Sequence, residues 1–205
     1  MQSYTTIKKQ AIFRYEDRKS VFFGLACPVS CETDALDFIA SVKKEYSDAN
    51  HHVYAYVLKE NSIMRFSDDR EPQGTAGMPV LDAIRKNGCC DTVIVVVRYF
   101  GGTLLGTGGL VRAYGSAAVG ALKDAEIITY DVYCDVSITV SFSDYQKILP
   151  VISESEFRRS DTKYTYEVTI IGNIRKPLLE DFLKKIGETL AGRAKIENLG
   201  EKFDY

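Results

Sequence analysis

Residues 93–110 read VIVVVRYFGGTLLGTGGL. The aliphatic run 93–97 marks a strand, and glycines at 101, 102, 106, 108 and 109 then interrupt the chain. Leu110, Tyr114, Ala117, Ala118, Ala121 and Leu122 follow at helical spacing, toward a helix end near Ala125. The Ala and Gly in that helix predict close packing on a sheet. Strand, glycine loop and helix is how many proteins hold a phosphate, but both standard versions fail here. A P-loop needs a lysine after its last glycine to reach the β and γ phosphates, and Thr107 stands there. A dinucleotide fingerprint read from Gly106 meets Val111 where its third glycine belongs. What remains is a helix N-terminus with free N–H groups near Gly108, flanked by Arg98 and Arg112, a combination suited to an anion. A tightly folded connection without a ligand reads the same residues equally well. Tyr99 and Phe100 suit either stacking on bases or a place in the core.

Working toward the N-terminus, residues 67–79 form a polar loop, SDDREPQGTAGMP, with Asp68, Asp69 and Glu71 clustered around Arg70. Such carboxylates suit magnesium or acid–base chemistry, and equally a solvated loop in which they cap turns. Pro79 and Gly88 bracket a helix over VLDAIRKN. Before the loop, HHVYAYVLKE (51–60) reads as a strand that turns at Glu60-Asn61 and returns through Ile63–Phe66. Period two puts His51 and His52 on opposite faces, so they do not share a metal; one of them suits a general base. Earlier still, Thr33 caps a helix carrying Ala35, Phe38, Ile39, Val42 and Tyr46. Strands near 4–14 and 20–27 flank YEDRKS, read as a polar turn.

Toward the C-terminus the pattern restarts after a short linker near 128–131. VYCDVSITVSF, DYQKILPVISES, a further strand, the strand KYTYEVTII, KPLLEDFLKKIGETL and AKIENL give β-α-β-β-α-β, the order of a ferredoxin-like fold. Pro150 is expected to kink or shorten the first helix. The chain therefore reads as two α+β domains, 1–130 and 131–205.

The composition is that of an ordinary globular protein, 45% hydrophobic and 26% charged over 205 residues. Lys and Arg total 26 against 28 Asp and Glu, a formal net charge of −2. Residues 1–130 hold 15 of each sign, so nucleic-acid binding would need a local patch rather than a basic domain. Cys27, Cys31, Cys89, Cys90 and Cys134 form no zinc or disulfide framework and suit reduced thiols. No metal or cofactor is expected. No apolar run reaches the ~20 residues that span a bilayer, and no secretory signal opens the chain. The expected location is cytoplasmic, away from membranes. No Ser or Cys sits in a nucleophile elbow, so a hydrolase reading lacks its nucleophile.

DDREPQGTAGMPVL and VVVRYFGGTLLGTGGLVRAYGSAA, together with DANHHVYAYVL and Lys19-Ser20-Val21-Phe22, resemble the signature of the IMPACT (YigZ-like) family, bacterial two-domain type. The resemblance covers residues 19–125, with 132–205 similar to the small domain that follows in bacterial members. It implies a first domain like the second domain of ribosomal protein S5. It also implies a second domain like the ferredoxin-like C-terminal domain of elongation factor G. Both kinships lie in translation. Eukaryotic members restrain a translation-control kinase through an additional N-terminal domain; this chain begins at the shared domain, so that role is not expected. Three positions depart from the family pattern: Arg70 replaces a glycine, and Met78 and Leu104 replace lysines. The loss of two lysines weakens phosphate binding, and Arg70 replaces part of it.

The leading expectation is a non-enzymatic protein that binds RNA or the ribosome and affects translation. Arg98, Tyr99, Gly101, Gly102, Gly106, Gly108, Gly109 and Arg112 form its phosphate surface, with Tyr99 or His51 near bases. The alternative is an enzyme or binding protein for a small phosphorylated or nucleotide ligand, with His51, Asp68, Asp69 and Glu71 converging on the glycine loop. A protein partner on the ferredoxin-like sheet is a third. The acidic loop and the glycine loop are expected to share one cleft.

Overall fold

The structure, a computed structural model, describes residues 3–59 and 63–205; the turn expected at Glu60-Asn61 lies outside them. The chain is α+β and divides into two compact units, Tyr4–Thr129 and Tyr130–Tyr205, with Ser3 belonging to the second. In the first unit β1 (Tyr4–Ile7), β2 (Ala11–Asp17), β3 (Ser20–Pro28), α1 (Glu32–Glu45), β4 (His51–Val57) and β5 (Met64–Ser67) precede α2 (Gly77–Lys86), β6 (Thr92–Tyr99) and α3 (Gly106–Asp124). Its antiparallel sheet has the order β2-β3-β6-β4-β5.

The aliphatic run falls on the central strand. Val93, Val95 and Val97 of β6 face α1 together with Leu25 and Tyr56, while Ile94 and Val96 face α2 and α3. Both faces are covered, so β6 shows no alternation of apolar and polar residues. α3 lies against the sheet closely enough that a Cβ on Gly24 would sit 2.3 Å from the carbonyl oxygen of Ala117. Ala113, Ala117, Ala118 and Ala121 on its inner face are fully buried, as the small-residue pattern required.

Several local expectations are corrected. YEDRKS is mostly strand: pairing continues from Ala11↔Ala26 to Asp17↔Ser20. The turn is Arg18-Lys19 alone, at φ 46° and 65°, because a two-residue loop with both φ positive matches the twist of its strands. α1 starts before its expected cap: Cys31, two residues earlier, is the N-cap, and Thr33 lies inside the helix. No side chain caps it; Asp34 in the first turn accepts the Ser30 N–H at 3.0 Å and ties the incoming chain to the helix. α2 begins at Gly77, two residues before Pro79, since Asp68 Oδ1 accepts the N–H groups of Ala76 (3.1 Å) and Gly77 (2.8 Å).

The second unit contains β7 (Ile127–Val140), α4 (Phe142–Ser153), β8 (Arg158–Tyr164), β9 (Val168–Arg175), α5 (Leu179–Leu190) and β10 (Lys195–Asp204). The linker expected near 128–131 is part of β7, which runs through that region unbroken. The order of elements is the expected β-α-β-β-α-β, and within the unit the strands lie β10-β7-β9-β8, all antiparallel. Val136, Ile138, Val140 and Ile170 pack on Ile148 of α4 and on Phe182 and Ile186 of α5. KYTYEVTII, read as one strand, spans the β8–β9 turn, where the Thr165 N–H meets the Glu167 carbonyl at 2.9 Å. Pro150, expected to kink or shorten α4, sits in its last turn, where its missing N–H costs one hydrogen bond; the helix runs on to Ser153, two residues short of the end expected for it. Among the described residues, no helix is long and apolar enough to cross a membrane.

Candidate functional site

Strand register assembles the site. Arg98 lies opposite Phe22 of β3 and His51 of β4, so the three side chains form a row across the sheet on the face of α2 and α3. Period two sends Tyr99 and His52 to the other face. Arg98 is 5% exposed, its guanidinium 5.5 Å from the ring centres of Phe22 and Phe100. Nη1 donates to Glu71 Oε1 at 2.5 Å, and the Tyr114 hydroxyl of α3 donates to the same oxygen at 2.7 Å. Desolvation penalises both charges, and the ion pair with its added hydrogen bond offsets it. Burial raises the Tyr114 phenol well above its ordinary range, and the Glu71 charge adds to that, so the hydroxyl keeps its proton and donates. Arg98 Nε is buried without a hydrogen-bond partner.

His51 is fixed by the acidic loop. Its Nδ1 is 2.9 Å from the Asp69 carbonyl oxygen, which can only accept, so Nδ1 carries the hydrogen. The neutral ring then presents an unprotonated Nε2, 3.7 Å from Glu71 Oε1, too far for a hydrogen bond. The three carboxylates do not converge. Asp68 caps α2 and also accepts the Gly74 N–H at 2.9 Å; Asp69 Oδ2 accepts the His52 N–H at 2.7 Å. Both hold the loop in shape, and Glu71 alone turns inward to the cleft. Among the described residues no three His, Cys, Asp or Glu side chains are grouped as metal ligands.

The acidic loop and the glycine loop line one cleft of about 470 Å³. His51, Glu71 and Arg98 form its floor; Pro72, Phe100, Leu104, Leu105 and Leu110 form apolar walls, and Gly106 and Thr107 bring in the first turn of α3. A Cβ on Gly101 would fall 2.0 Å from the Lys19 carbonyl carbon, so glycine there lets the loop lie on the β2–β3 turn. Gly102 and Gly106 take positive φ, 80° and 70°. Gly109 is buried beside Leu105, whereas Gly108 faces open space. Two exposed arginines reach the rim. Arg18 Nη1 lies 3.4 Å from the Leu104 carbonyl oxygen and Arg70 Nη2 lies 3.4 Å from that of Asn50.

The expected phosphate surface is therefore divided. Arg98 is in the cleft but bound in a buried ion pair. Tyr99 donates to Asp48 on the opposite face at 2.8 Å, and burial together with that carboxylate pushes its phenol up to about 12. Arg112 is exposed on α3 and does not line the cleft. Sequence reasoning placed Tyr114 only in the core, and missed Asn50, whose Oδ1 fixes the Phe100 N–H at 2.7 Å. For Tyr114 the signal was a large hydroxyl-bearing residue on an otherwise small-residue helix face. Arg18 carried no local signal, whereas Arg70 stood out in the sequence as a departure from the family pattern that restores part of the phosphate binding.

The residues that build this cleft also carry the likeness to known proteins. The model of the Impact N-terminal domain matches residues 18–122, which include every cleft-lining residue. The IMPACT family member YvyE of Bacillus subtilis (strain 168) is 32% identical over 96% of this chain and 91% of its own length. An IMPACT family member of Haemophilus influenzae is 34% identical over 97% of this chain and 98% of its own. A crystal structure of a hypothetical protein superposes with a TM-score of 0.60 at 28% identity, covering 98% of both chains. Motif, domain match and near full-length similarity agree, and the chain belongs to the IMPACT family.

Proposed function

We propose that this is an RNA-binding protein of the translation apparatus, non-enzymatic and cytoplasmic, whose first domain, residues 1–130, takes an unpaired nucleotide into the cleft. The observation that carries this is an apolar-walled cleft with two exposed arginines at its rim. Its volume, about 470 Å³, is in the range of small-ligand sites. Phe100, 46% exposed, offers a stacking face, while Arg18, Arg70 and the first-turn N–H groups of α3 suit phosphates. The phosphate contacts move accordingly from Arg98, Tyr99 and Arg112 to Arg18, Arg70, Gly106 and Thr107. Kinship of the first domain with the second domain of ribosomal protein S5 fits this reading. So does kinship of residues 131–205 with the ferredoxin-like domain of elongation factor G, which the β10-β7-β9-β8 order supports.

Fluorescence anisotropy with labelled single-stranded ribosomal RNA fragments across a salt series tests the proposal. Affinity falls with salt, and Arg18→Ala and Arg70→Ala each lower the slope by about one. Leu104→Lys, at a side chain 80% exposed, raises it by about one. No binding at low salt, or a slope indifferent to these changes, sinks the reading. The volume of the cleft also favours a second reading, a free nucleotide or other small phosphorylated ligand; calorimetry with mononucleotides separates the two.

A further inference from the structure

The cleft floor presents hydrogen-bond acceptors that no side chain satisfies. Glu71 Oε1 receives both Arg98 and Tyr114, and among the described residues no hydrogen bond reaches Oε2. Glu71 is 8% exposed, so little of its carboxylate meets bulk water. His51, held as the Nδ1–H tautomer by the Asp69 carbonyl, presents the Nε2 lone pair to the same space, 3.7 Å from Oε1. His51 and Glu71 line the same cleft, so an imidazole nitrogen and a carboxylate stand side by side at its floor. An –NH2 group placed there donates one hydrogen to each. The walls above suit a planar ring, and the rim suits an anion. An amine at one end, a flat ring and a phosphate at the other describe a nucleotide whose base carries an exocyclic amine.

Resting on the reading of the cleft as a nucleotide site, we infer that it selects amino-bearing bases (cytosine, adenine, guanine) over uracil, with His51 and Glu71 as the specificity-determining pair. Cytosine against uracil is the sharpest contrast, because the rings match in size and differ where the amine of one is a carbonyl oxygen of the other. Placed against the His51–Glu71 pair, uracil would bring an acceptor to two acceptors. A buried acceptor left without a donor costs more than a hydrogen bond never formed.

The test is calorimetry of the full chain with CMP and UMP, and with short oligocytidine and oligouridine, at about pH 8, where free imidazole is neutral. CMP should bind about tenfold tighter than UMP. In His51→Ala, a change at a half-buried position whose folding is checked by circular dichroism, the ratio should fall to about twofold. Glu71→Gln, which replaces one acceptor by an amide, should narrow it as well. A cytidine preference seen only with the oligonucleotides supports the inference and identifies RNA rather than free nucleotide as the ligand. Equal binding of CMP and UMP, or a ratio unmoved in His51→Ala, overturns the selectivity and leaves the nucleotide site standing. If neither the mononucleotides nor the oligonucleotides bind folded protein, the nucleotide reading itself falls, and the selectivity with it.

Discussion

Glu71 in the first unit and Asp144 in the second each anchor a hydrogen-bonded network, in opposite surroundings. Glu71 meets Arg98 with side-chain exposures of 4% and 6%, and Tyr114 beside them is fully buried. Asp144 is itself buried, but its cations Arg193 and Lys147 are 55% and 54% exposed. The second arrangement braces the start of α4, where the Ser141 hydroxyl accepts the Asp144 N–H, and solvent screens it. The first holds a charge at a cleft floor that meets little water, so its geometry is set before any ligand arrives. A charge that is stable only as a pair marks the place where a fold has given up apolar core for a polar site.

Removing one member of each pair should break the comparison most clearly. Glu71→Ala strands the Arg98 charge in the core and should cost about 3–5 kcal/mol, read by urea denaturation. Asp144→Ala should lower the midpoint far less; a comparable loss would show that the two networks do not differ in kind. Next in size, Gly24→Ala pushes a methyl into the Ala117 carbonyl of α3 and should cost about 1–3 kcal/mol. Tyr114→Phe leaves the ion pair and removes one donor, a loss of about 1.5 kcal/mol in the same assay. Arg70→Gly should go the other way. Arg70 sits at φ 70°, where a side chain costs about 1 kcal/mol, so glycine should stabilise the fold while removing a rim cation.

The smallest effect sharpens the contrast through pH. Hydrogen bonds from Arg193, then Lys147, hold the Asp144 carboxyl well below its ordinary value of 3.8. A depressed folded-state value means that its stabilisation is complete above 3.8 and is lost as pH falls below it. Scanning calorimetry from neutral pH to about pH 2 should therefore show a shallower acid limb in Asp144→Asn than in the parent chain. An unchanged limb would remove Asp144 from the acid response.

Much of the frame was legible in the linear pattern. The aliphatic run of β6, the small-residue face of α3 and the β-α-β-β-α-β order of the second unit each follow from short-range periodicity, which needs no distant partner. The acidic and glycine loops were recognisable as neighbours in one cleft. Their chemistry was not. Asp68 caps a helix beginning nine residues later, and no local rule reaches that far. Arg98 looked like a free cation because sequence shows charge and not the carboxylate 27 residues away that neutralises it.

Residue alternation alone determined that Arg98 and Tyr99, and likewise His51 and His52, take opposite faces, because the pleat permits nothing else. Which of those faces would hold the site was decided by tertiary structure. Packing of α3 and the 67–76 loop over one face brings Tyr114 and Glu71 to Arg98, and the Asp69 carbonyl then fixes which nitrogen of His51 meets the cleft. Periodicity is a property of the backbone and can be read along the chain. A buried charge acquires its role only from the partner that folding places beside it.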